Sequence, residues 1–566
     1  MRNRVSITLV IVFLFFSAFF IGCTPVQTST VRETTPLADA TKTPDLVPAT
    51  STAIPSSQTW WSDAVFYEIF VRSFYDSDGD GIGDFNGVIA KLDYLNDGDP
   101  STDTDLGVTG IWLMPVFPSP SYHGYDVTDY YAVNPQFGTL DEFKTLVAEA
   151  HRRGIRVIID LVINHTSDQH PWFQASKKDI NSPYRDWYIW SETDPRYLGP
   201  WGEQVWHSST AGYYYGIFTG FMTDLNYENP EVTAEMTKVY SYWLKDVGVD
   251  GFRLDAAKHL IESGREQQHT NATHEWYQSM YPVYKEMKPD ALIVGELFGD
   301  NLNVAAEYIK DKEFDLTFNF QLADALIRSA RLEKANITNY TIESSNKSIV
   351  DSQYASFLTN HDQNRIMSQV WNNAGKARVA ASLLLASPGT PFLYYGEEVG
   401  MEGTKPDEDI RRPMQWSADE HAGFTTGTPW RPPGPSFAEV NVEIQNADPQ
   451  SLLSHYRSLI HFRNEHSALR TGAYYAVDSS APDVYAALRK NDEEILLILI
   501  NLSREPVSAF LLTSSDAVLA DGAYTAETLF GIGEAQPPSV EQGIFQDYQP
   551  ISRLDPYSTV IIRLQP

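Results

Sequence analysis

Between residues 64 and 401, short apolar runs alternate with longer segments that have the spacing of amphipathic helices. The apolar runs are rich in β-branched and aromatic residues, which favours buried strands. The longer segments, such as 140–153 and 230–247, repeat apolar residues every three or four positions. Strands that alternate with helices predict a parallel sheet of the α/β class. The eight predicted strands lie within residues 64–74, 107–117, 155–165, 251–255, 292–298, 313–320, 354–360 and 389–401.

Two stretches depart from this alternation. Residues 166–225 are crowded with aromatic side chains, and a loop of that length is expected to be functional. From residue 470 onward, short alternating segments such as EEILLILINLS and STVIIRL predict an antiparallel β-sandwich. We therefore expect an α/β domain over 59–469 that contains the insertion at 166–225, and a C-terminal domain over 470–566. A helix over 451–469 is expected to close the first domain.

Acidic residues stand where the predicted strands end. Arg253 and Asp255 are two residues apart, and side chains at such positions of a strand point to the same side. The guanidinium can therefore hold the carboxylate ionised and oriented. Glu296 ends the next apolar run, and Asp362 follows His361 at the end of a later one. Acids at the carboxyl ends of successive buried strands predict the catalytic face of a (β/α)8 TIM barrel.

Four segments around these residues resemble the conserved regions of the α-amylase family, glycoside hydrolase family 13, and occur in that family's order. They are DLVINH (160–165), GFRLDAAKH (251–259), VGEL (294–297) and NHD (360–362). The resemblance extends from about residue 60 to the C-terminus. It implies a (β/α)8 TIM barrel with a B domain inserted after the third strand, at 166–225, and a C-terminal antiparallel β-sandwich domain.

The resemblance also implies a retaining mechanism. In such a mechanism one acid protonates the departing oxygen while a second attacks the anomeric carbon, at a carboxyl separation of about 5 to 5.5 Å. Asp255 takes the role of nucleophile, Glu296 that of acid/base, and Asp362 holds the 2- and 3-hydroxyls of the sugar. Arg253 is expected to keep Asp255 ionised, whereas neighbouring carboxylates are expected to raise the pKa of Glu296. For any one of these acids alone a structural role is the alternative; the three together favour catalysis.

Substrate contacts follow from the same resemblance. The string SYHGYDVTDYYAVNPQFGT after the second strand is similar to a family loop in which a tyrosine, here Tyr125, stacks on the sugar being cleaved. For the tyrosine alone, an ordinary aromatic loop is the alternative. The residues implied to bind substrate are His123, Tyr125, His165, Arg253, Lys258, His259, His361 and Arg365, and Asp160 is implied to support Arg253.

The residues after the nucleophile bear on the substrate. Ala256, followed by Lys258 and His259, resembles α-amylases, whereas relatives that cleave α-1,6 bonds usually carry Val at the position of Ala256. We therefore expect α-1,4-glucans, that is starch, glycogen and maltodextrins. An α-glucosidase or oligo-1,6-glucosidase, or a glucosyl-transferring relative acting on short oligosaccharides, stays open. From another functional class, a non-catalytic amino-acid transporter subunit shares this barrel but has no need of the three acids.

The segment DSDGDGIGD directly after the first predicted strand has the spacing of an EF-hand loop, with Gly81 at the sharp turn. Gly87 stands where a true EF-hand has a bidentate glutamate, so a true EF-hand is not expected. We expect instead a single structural calcium ion in the loop after the first strand, as in several members of the family that the sequence resembles. A metal-free acidic turn is the alternative. The expected ligands are Asp76, Asp78, Asp80, the Ile82 carbonyl and Asp84.

The N-terminus is typical of an exported protein. A basic MRNR start and an apolar run to about residue 21 predict a secretory signal, and FIGC resembles a bacterial lipoprotein box. Cys23 is the only cysteine of the 566 residues, so no intramolecular disulfide can form. We expect a signal peptide over 1–22 and, over 23–58, a lipidated Cys23 with a disordered Thr/Pro/Ser-rich tether. The enzyme would then be extracytoplasmic, either as a bacterial membrane-anchored lipoprotein or as a secreted protein. The alternatives for the N-terminal segment are an uncleaved membrane anchor and a plain secretory signal.

The net charge of −32 disfavours two classes of partner, because it repels nucleic acid and anionic membrane surfaces. A well-hydrated soluble surface explains the same charge without any partner. We expect a neutral substrate, an α-glucan or malto-oligosaccharide, with no nucleic acid bound. Membrane contact is expected only through the N-terminal lipid, and the protein is expected to be a monomer.

Overall fold

The computed structural model describes residues 59–566. The predicted signal peptide, the lipidated Cys23 and the tether lie outside the described residues. In the described part of the chain, no helix combines the length and the apolar character that crossing a bilayer requires.

Eight parallel strands form a closed barrel, which confirms the predicted fold. Each strand pairs with the next one along the chain, and the eighth pairs with the first. In chain order the barrel strands are Phe66–Ile69, Gly110–Leu113, Arg156–Leu161, Gly251–Leu254, Leu292–Gly295, Leu316–Phe318, Tyr354–Phe357 and Thr390–Tyr394.

Aromatic side chains fill the barrel interior. The ring of Trp112, on the second strand, lies 5.5 Å from that of Phe318 on the sixth, and Phe318 lies 5.2 Å from Phe392 on the eighth. Strands that are not neighbours can meet in this way only through side chains that point into the barrel. The guanidinium of Arg253 lies 5.3 Å from the Trp112 ring centre. A charged layer therefore stands directly on the aromatic one, toward the carboxyl ends of the strands.

Helices cover the outside of the barrel, and most of them lie between two successive barrel strands. The helix after the second strand shows how the sequence fixes their ends: Thr139 and Glu142 form a reciprocal capping box at its start. The helices outside the insertion are Val71–Phe74, Phe85–Ala90, Leu92–Leu95, Leu140–Arg152, Pro230–Ser241, Asn271–Met287, Leu302–Lys310, Phe320–Leu332, Ala335–Ser348, Ile366–Gln369, Ala374–Ala386, Asp407–Ile410, Val442–Asn446, Leu452–Glu465 and Ser467–Thr471.

The insertion after the third barrel strand folds into a small unit of its own. A two-stranded ribbon, His165–Ser167 paired with Met222–Asp224, connects it to the barrel. Its separate apolar core contains Val205, Trp206, Tyr215 and Ile217. Its remaining elements are the helix Pro171–Lys178 and a three-stranded sheet of Trp190–Ser191, Gly212–Tyr215 and Trp206–Ser209.

The C-terminal domain is built on antiparallel sheets, as predicted. Alternate residues of its strands face two different apolar cores. Tyr485 and Ile498 belong to the main core of the barrel domain, which lies outside the barrel interior. Ala486 and Leu497 belong to a separate core of the C-terminal domain. The main sheet contains, in spatial order, Leu512–Ser514, Ala473–Ser479, Val484–Lys490, Ile495–Asn501, Thr559–Gln565 and Thr525–Phe530, and a ribbon pairs Gly522–Ala523 with Ser539–Val540.

Three predicted elements differ from the sequence pattern: two strands are shorter than predicted, and one helix changes its winding. The first strand ends at Ile69, because the next residues turn into the short helix Val71–Phe74. The third strand ends at Leu161, and His165 begins the ribbon of the insertion instead. The helix predicted over 230–247 winds as a π-helix in its last six residues, before Gly248 in the left-handed region (φ 97°).

Candidate active site

An arginine on the fourth barrel strand stands at the centre of the site. Arg253 is fully buried, and Asp160 lies beside it in the strand register. Its Nη1 donates to Asp160 Oδ1 (2.8 Å) and to Asp255 Oδ1 (2.7 Å), and its Nη2 lies 2.8 Å from Glu296 Oε2. One guanidinium therefore gathers three carboxylates from three successive strands. Because charge-assisted bonds of this kind are strong and directional, they orient Asp255 and Glu296 toward a common space.

Asp362, which follows the seventh strand, is held by two cationic side chains. Arg411 Nη2 donates to its Oδ1 at 2.8 Å, and His361 Nε2 lies 3.2 Å from its Oδ2. Burial alone would raise the pKa of Asp362, but His361 and Arg411 outweigh it and keep the pKa well below its usual range. Asp362 is therefore ionised at neutral pH.

A buried chain of hydrogen bonds fixes the aromatic ring beside the acids. His361 Nδ1 lies 2.6 Å from Glu68 Oε1, and His361 Nε2 lies 2.6 Å from the Tyr125 hydroxyl. That hydroxyl donates to Asp160 Oδ2 at 3.0 Å. Burial would lower the pKa of His361, but Asp362 and Glu68 raise it to about 10, so the imidazolium donates from both nitrogens. The chain from Glu68 to Asp160 thus sets the position of Tyr125.

Glu296 has the surroundings of a proton donor. Burial raises its pKa above the ordinary 4.5, Asp255 and Asp362 add to the shift, and Arg253 opposes it. The backbone N–H of Ala256 donates to Glu296 Oε2 at 3.3 Å. The carboxyl group can therefore keep its proton at a higher pH than an exposed glutamate would.

The backbone after Asp255 is strained. Ala256 has φ 51°, in the left-handed region that residues with a side chain seldom adopt. The conformation turns the chain out of the strand into the single helical turn Ala257–His259 and lets the Ala256 N–H reach Glu296. Such strain is common at functional sites, where the surrounding structure holds it in place.

The three acids open onto one cavity of about 500 Å³. The exposed fractions of the Asp255, Glu296 and Asp362 side chains are 13%, 10% and 34%. Arg411 and Lys405 border the cavity on the side of Asp362. A deep cavity with a few convergent polar groups is the usual form of a small-molecule site.

Aromatic side chains form another wall of this cavity. Trp201, which the insertion contributes, is 57% exposed and lies 5.8 Å from the Phe218 ring and 5.3 Å from the His259 ring. Phe298, which follows the fifth strand, also lines the cavity and is 47% exposed. Exposed aromatic faces beside carboxylates fit the apolar and polar faces of a sugar.

Five of the predicted substrate contacts line the cavity: His123, Tyr125, His165, Lys258 and His259. Like Tyr125, the side chains of Lys258 and His165 are anchored by contacts with other residues. Lys258 Nζ donates to the carbonyl of Phe298 (2.7 Å) and to Asp300 Oδ2 (3.0 Å). His165 Nε2 lies 3.1 Å from the carbonyl oxygen of Tyr125. These contacts fix the side chains in their positions along the wall.

Three predicted substrate contacts, Arg253, His361 and Arg365, are not among the residues that line the cavity. Arg365 is 1% exposed, because its Nε donates to the Ile410 carbonyl (2.8 Å) and its Nη1 to the Tyr395 carbonyl (2.6 Å). Arg253 and His361 are fully buried as well, and they lie under the acids that they hold. Their contacts are those of supporting residues.

The sequence did not single out several residues of the site. Arg411 contacts Asp362, whereas the sequence analysis assigned Arg365 to the site. The sequence feature that could have pointed to Arg411 is the pair Arg411–Arg412 in a long loop. Glu68, the partner of His361, lies on a strand whose apolar neighbours gave it no special status. Trp201 and Phe298 were hidden among the many aromatic residues of their segments.

The acidic loop after the first strand brings three carboxylates together. Asp76, Asp78 and Asp84 each offer an oxygen, and these oxygens lie within 4.8 Å of one another. Asp80 is not in this group, and its Oδ1 accepts from the Ile82 N–H at 2.8 Å. An all-oxygen donor set of this density fits calcium, which prefers carboxylate and carbonyl oxygens.

The raised pKa of Glu296 gives a prediction for the pH dependence of the reaction. If Glu296 must donate a proton, kcat/KM for maltoheptaose, whose leaving group is a sugar hydroxyl, should fall as pH rises through that pKa, which lies above 4.5. An α-maltosyl fluoride needs no protonation of its leaving group and serves as the matched substrate. Its glycosylation rate should stay constant over the same interval. An identical alkaline decline for both substrates would assign the titration to another group.

The chain is similar to known proteins in sequence and in structure. The family model described as "Alpha amylase, catalytic domain" matches residues 68–472. The chain is 39% identical to alpha-amylase 3 of Dictyoglomus thermophilum over 455 residues, which cover 79% of this chain and 86% of that protein. It is 34% identical to an oligo-1,6-glucosidase of Parageobacillus thermoglucosidasius over 523 residues, which cover 79% and 91%. The crystal structure of an alpha-amylase from H. orenii is similar, with a TM-score of 0.78 and 44% identity over 88% of this chain and 99% of that one.

Proposed function

The chain belongs to the α-amylase family, glycoside hydrolase family 13, and from this membership we propose that it is a retaining hydrolase of α-1,4-glucosidic bonds in starch, glycogen or maltodextrins. The observation that supports the proposal best is the convergence of Asp255, Glu296 and Asp362 on one cavity around a single buried guanidinium. Membership makes the chain a glycosidase-family enzyme that acts on an α-glucan; the bond specificity is the proposed part.

In the first proposed step Asp255 attacks the anomeric carbon while Glu296 gives its proton to the departing oxygen. Arg253 supports the attack, because its Nη1 donates to Asp255 Oδ1 at 2.7 Å and so orients the carboxylate. Ionised Asp362 accepts hydrogen bonds from the 2- and 3-hydroxyls, and these bonds strengthen as the ring flattens toward an oxocarbenium ion. The products are a covalent glycosyl-enzyme and a shortened glucan.

In the second step Glu296, now a carboxylate, takes a proton from water, and the water attacks the glycosyl-enzyme. Two inversions leave the α configuration unchanged. Tyr125 stacks on the sugar that is cleaved, and Lys258 and His259 border the side from which the leaving group departs. The exposed ring of Trp201 next to His259 is suited to receive that leaving sugar.

A second candidate is an α-glucosidase or oligo-1,6-glucosidase, or a glucosyl-transferring relative, acting on short oligosaccharides. It is supported by the 34% identity to an oligo-1,6-glucosidase over 91% of that protein. Ala256, where relatives that cleave α-1,6 bonds usually have Val, favours the α-1,4 specificity. The shapes of the loops around the cavity decide between these activities.

A product time course on soluble starch tests the proposed function. Early mixed malto-oligosaccharides are expected from internal cleavage of α-1,4 bonds. Early glucose alone, with faster hydrolysis of isomaltose than of maltose, would favour the second candidate. Inertness toward starch, maltoheptaose and isomaltose would favour the non-catalytic role of an amino-acid transporter subunit. Size-exclusion chromatography with light scattering checks the expected monomer.

The acidic loop is proposed to hold one structural calcium ion, with Asp76, Asp78, Asp80, the Ile82 carbonyl and Asp84 as ligands. The proximity of three of these carboxylates supports the proposal. The loop packs on a distant part of the chain, since the Asp76 N–H donates to the Phe424 carbonyl at 3.0 Å. A bound ion would therefore stabilise the contact between the first strand's loop and the segment around residue 424.

Chelation is expected to lower the melting temperature. A ligand that binds only the folded state at 100 times its Kd stabilises that state by about 2.7 kcal/mol. Replacing Asp78 with Asn should remove the difference between melts in calcium and in chelator, and Asp80→Asn tests whether Asp80 joins the ligand set. Asp516→Asn, an exposed carboxylate in the C-terminal domain, is the control for charge alone. Equal melts of the parent protein in calcium and in chelator would mean a metal-free turn.

The lone cysteine supports an extracytoplasmic location, which we propose to be that of a lipoprotein anchored through Cys23. Replacing Cys23 with Ala should prevent lipidation and release the enzyme into the medium or periplasm. Metabolic labelling with a fatty-acid analogue measures the modification directly, and fractionation with and without detergent measures the release. A variant that still needs detergent for extraction, with its apolar segment attached, would indicate an uncleaved membrane anchor.

A further inference from the structure

A second cavity, of about 480 Å³, lies behind the loop of residues 402–412 that borders the active-site cavity. Residues of this loop line both cavities. Lys405, Asp407 and Arg411 line the active-site cavity. Glu402, Thr404, Asp409 and Arg412 line the second one.

The second cavity contains an exposed tryptophan. The Trp371 side chain is 66% exposed, although a ring of this size usually buries most of its surface. Trp371 and Asn372 both adopt the left-handed conformation, with φ 60° and 56°. Two successive residues of this kind cost free energy, and such strain persists where the surroundings hold it. Hydrogen bonds from Trp371 N–H to Ser368 O (3.3 Å) and from Asn372 N–H to Met367 O (2.8 Å) do so here.

Neighbouring cations fix the ring. The Lys376 Nζ lies 5.1 Å from the ring centre of Trp371. That ammonium group is itself held, because it donates to the Arg331 carbonyl (2.6 Å) and lies 3.1 Å from Glu333 Oε1. Trp371 is therefore oriented before any ligand arrives, and a preorganised group loses less entropy on binding.

Polar groups around the ring are free to bind. Across residues 59–566, the side chains of Asn372, Glu402 and Thr404 make no hydrogen bond or ion pair. The other side of the cavity is rigid, since Arg412 Nη1 donates to the Pro432 carbonyl (3.1 Å) and its Nη2 to Asp409 Oδ1 (2.5 Å). An exposed aromatic face beside unused amide, carboxylate and hydroxyl groups matches a pyranose, which has an apolar face and a rim of hydroxyls.

From these contacts we infer that the second cavity binds another segment of the neutral α-glucan, with a glucosyl ring stacked on Trp371. The inference rests on the proposed function for the identity of the ligand. The net charge of −32 disfavours an anionic ligand. The wall between the cavities is held together by hydrogen bonds from Gly403 N–H to Ser368 Oγ (3.0 Å) and from Lys405 N–H to Asn364 Oδ1 (2.7 Å). A polymer bound on one side of this wall raises the effective concentration of its other segments on the other side.

The test compares a polymer with a short substrate. Trp371→Ala should lower kcat/KM for amylopectin about tenfold through KM, a change equivalent to about 1.4 kcal/mol. It should leave kcat/KM for p-nitrophenyl α-maltoside unchanged, because that substrate fills only the active-site cavity. Trp371→Phe keeps an aromatic face and should retain most of the polymer activity. Tyr340→Ala removes an aromatic side chain that is 73% exposed on a helix and should change neither substrate.

Binding is measured separately from catalysis, so that the inference and the proposed function fail in distinguishable ways. In the Asp255→Ala background, migration through a gel that contains amylopectin should be retarded, and Trp371→Ala should remove part of that retardation. A gel with pullulan of equal concentration shows whether other linkages substitute. Equal retardation with and without Trp371 would overturn the inference, as would equal losses on both substrates. Failure of the parent enzyme to cleave any α-glucan would overturn the proposed function, while the gel still reports on the second cavity.

Discussion

Replacing Asp255 with Ala is expected to abolish activity on every substrate, with a loss of kcat on the order of 10⁴- to 10⁶-fold, the range seen when a covalent nucleophile is removed. Asp255 is the proposed attacking group, and without it no glycosyl-enzyme can form. The loss should be as large for an α-maltosyl fluoride as for starch, because a better leaving group does not replace a nucleophile. Initial rates on both substrates measure it.

The fold should survive this change. Arg253 keeps its contacts with Asp160 and Glu296 when the Asp255 carboxylate is gone, so its buried charge stays compensated. A thermal melt near that of the parent protein and retained binding of maltoheptaose in calorimetry are the controls. Activity on the fluoride within tenfold of the parent would remove Asp255 from the role of nucleophile.

The barrel could be predicted from the sequence because its signals are local. Each buried strand is a short apolar run, and its helix has a separate period, so eight repeats are visible without any tertiary information. The ends of the elements were less predictable. The third strand was expected to reach His165, but His165 pairs with Asp224 in the insertion, a distant partner that no local pattern reveals.

The candidate site divides in the same way. Asp255, Glu296 and Asp362 stand at strand ends, so that the barrel itself brings them to one face. Arg411 reaches Asp362 from a loop 49 positions along the chain, and its neighbour Arg412 turns to Asp409 instead. The sequence could not distinguish these two arginines, because the choice depends on how the loop of residues 402–412 folds against the seventh strand.

The buried groups also show why the roles of single residues were harder to predict than the location of the site. His361 was expected to touch the substrate, but its two nitrogens face Glu68 and Tyr125 under the cavity. Glu68 lies more than 290 positions before His361, at the end of the first strand. Closure of the barrel brings the first and seventh strands near each other through the eighth, and only the closed structure reveals the pair.

Replacing Glu296 with Ala is expected to have a different signature from the loss of the nucleophile. Starch hydrolysis should fall about 10²- to 10⁴-fold, since a general acid contributes about that much to a rate. An α-maltosyl fluoride needs no proton on its leaving group, so Asp255 should still form the glycosyl-enzyme. Deglycosylation should then stall, because no base activates water. A burst of fluoride equal to the enzyme concentration, and a covalent adduct of one maltosyl unit in the intact mass, would record the stalled intermediate.

Azide should restore turnover of this variant, because it is a nucleophile that needs no base. Azide attacks the β-linked glycosyl-enzyme from the face opposite Asp255, so the second inversion should give the α-maltosyl azide. The Asp255→Ala variant should not form this azide product, because it has no glycosyl-enzyme for azide to attack. An α-maltosyl azide formed by the Asp255→Ala variant, and none by Glu296→Ala, would reverse the two assignments. A glycosyl-enzyme would then still form without Asp255, so Glu296 would carry the covalent bond and Asp255 would be the acid/base.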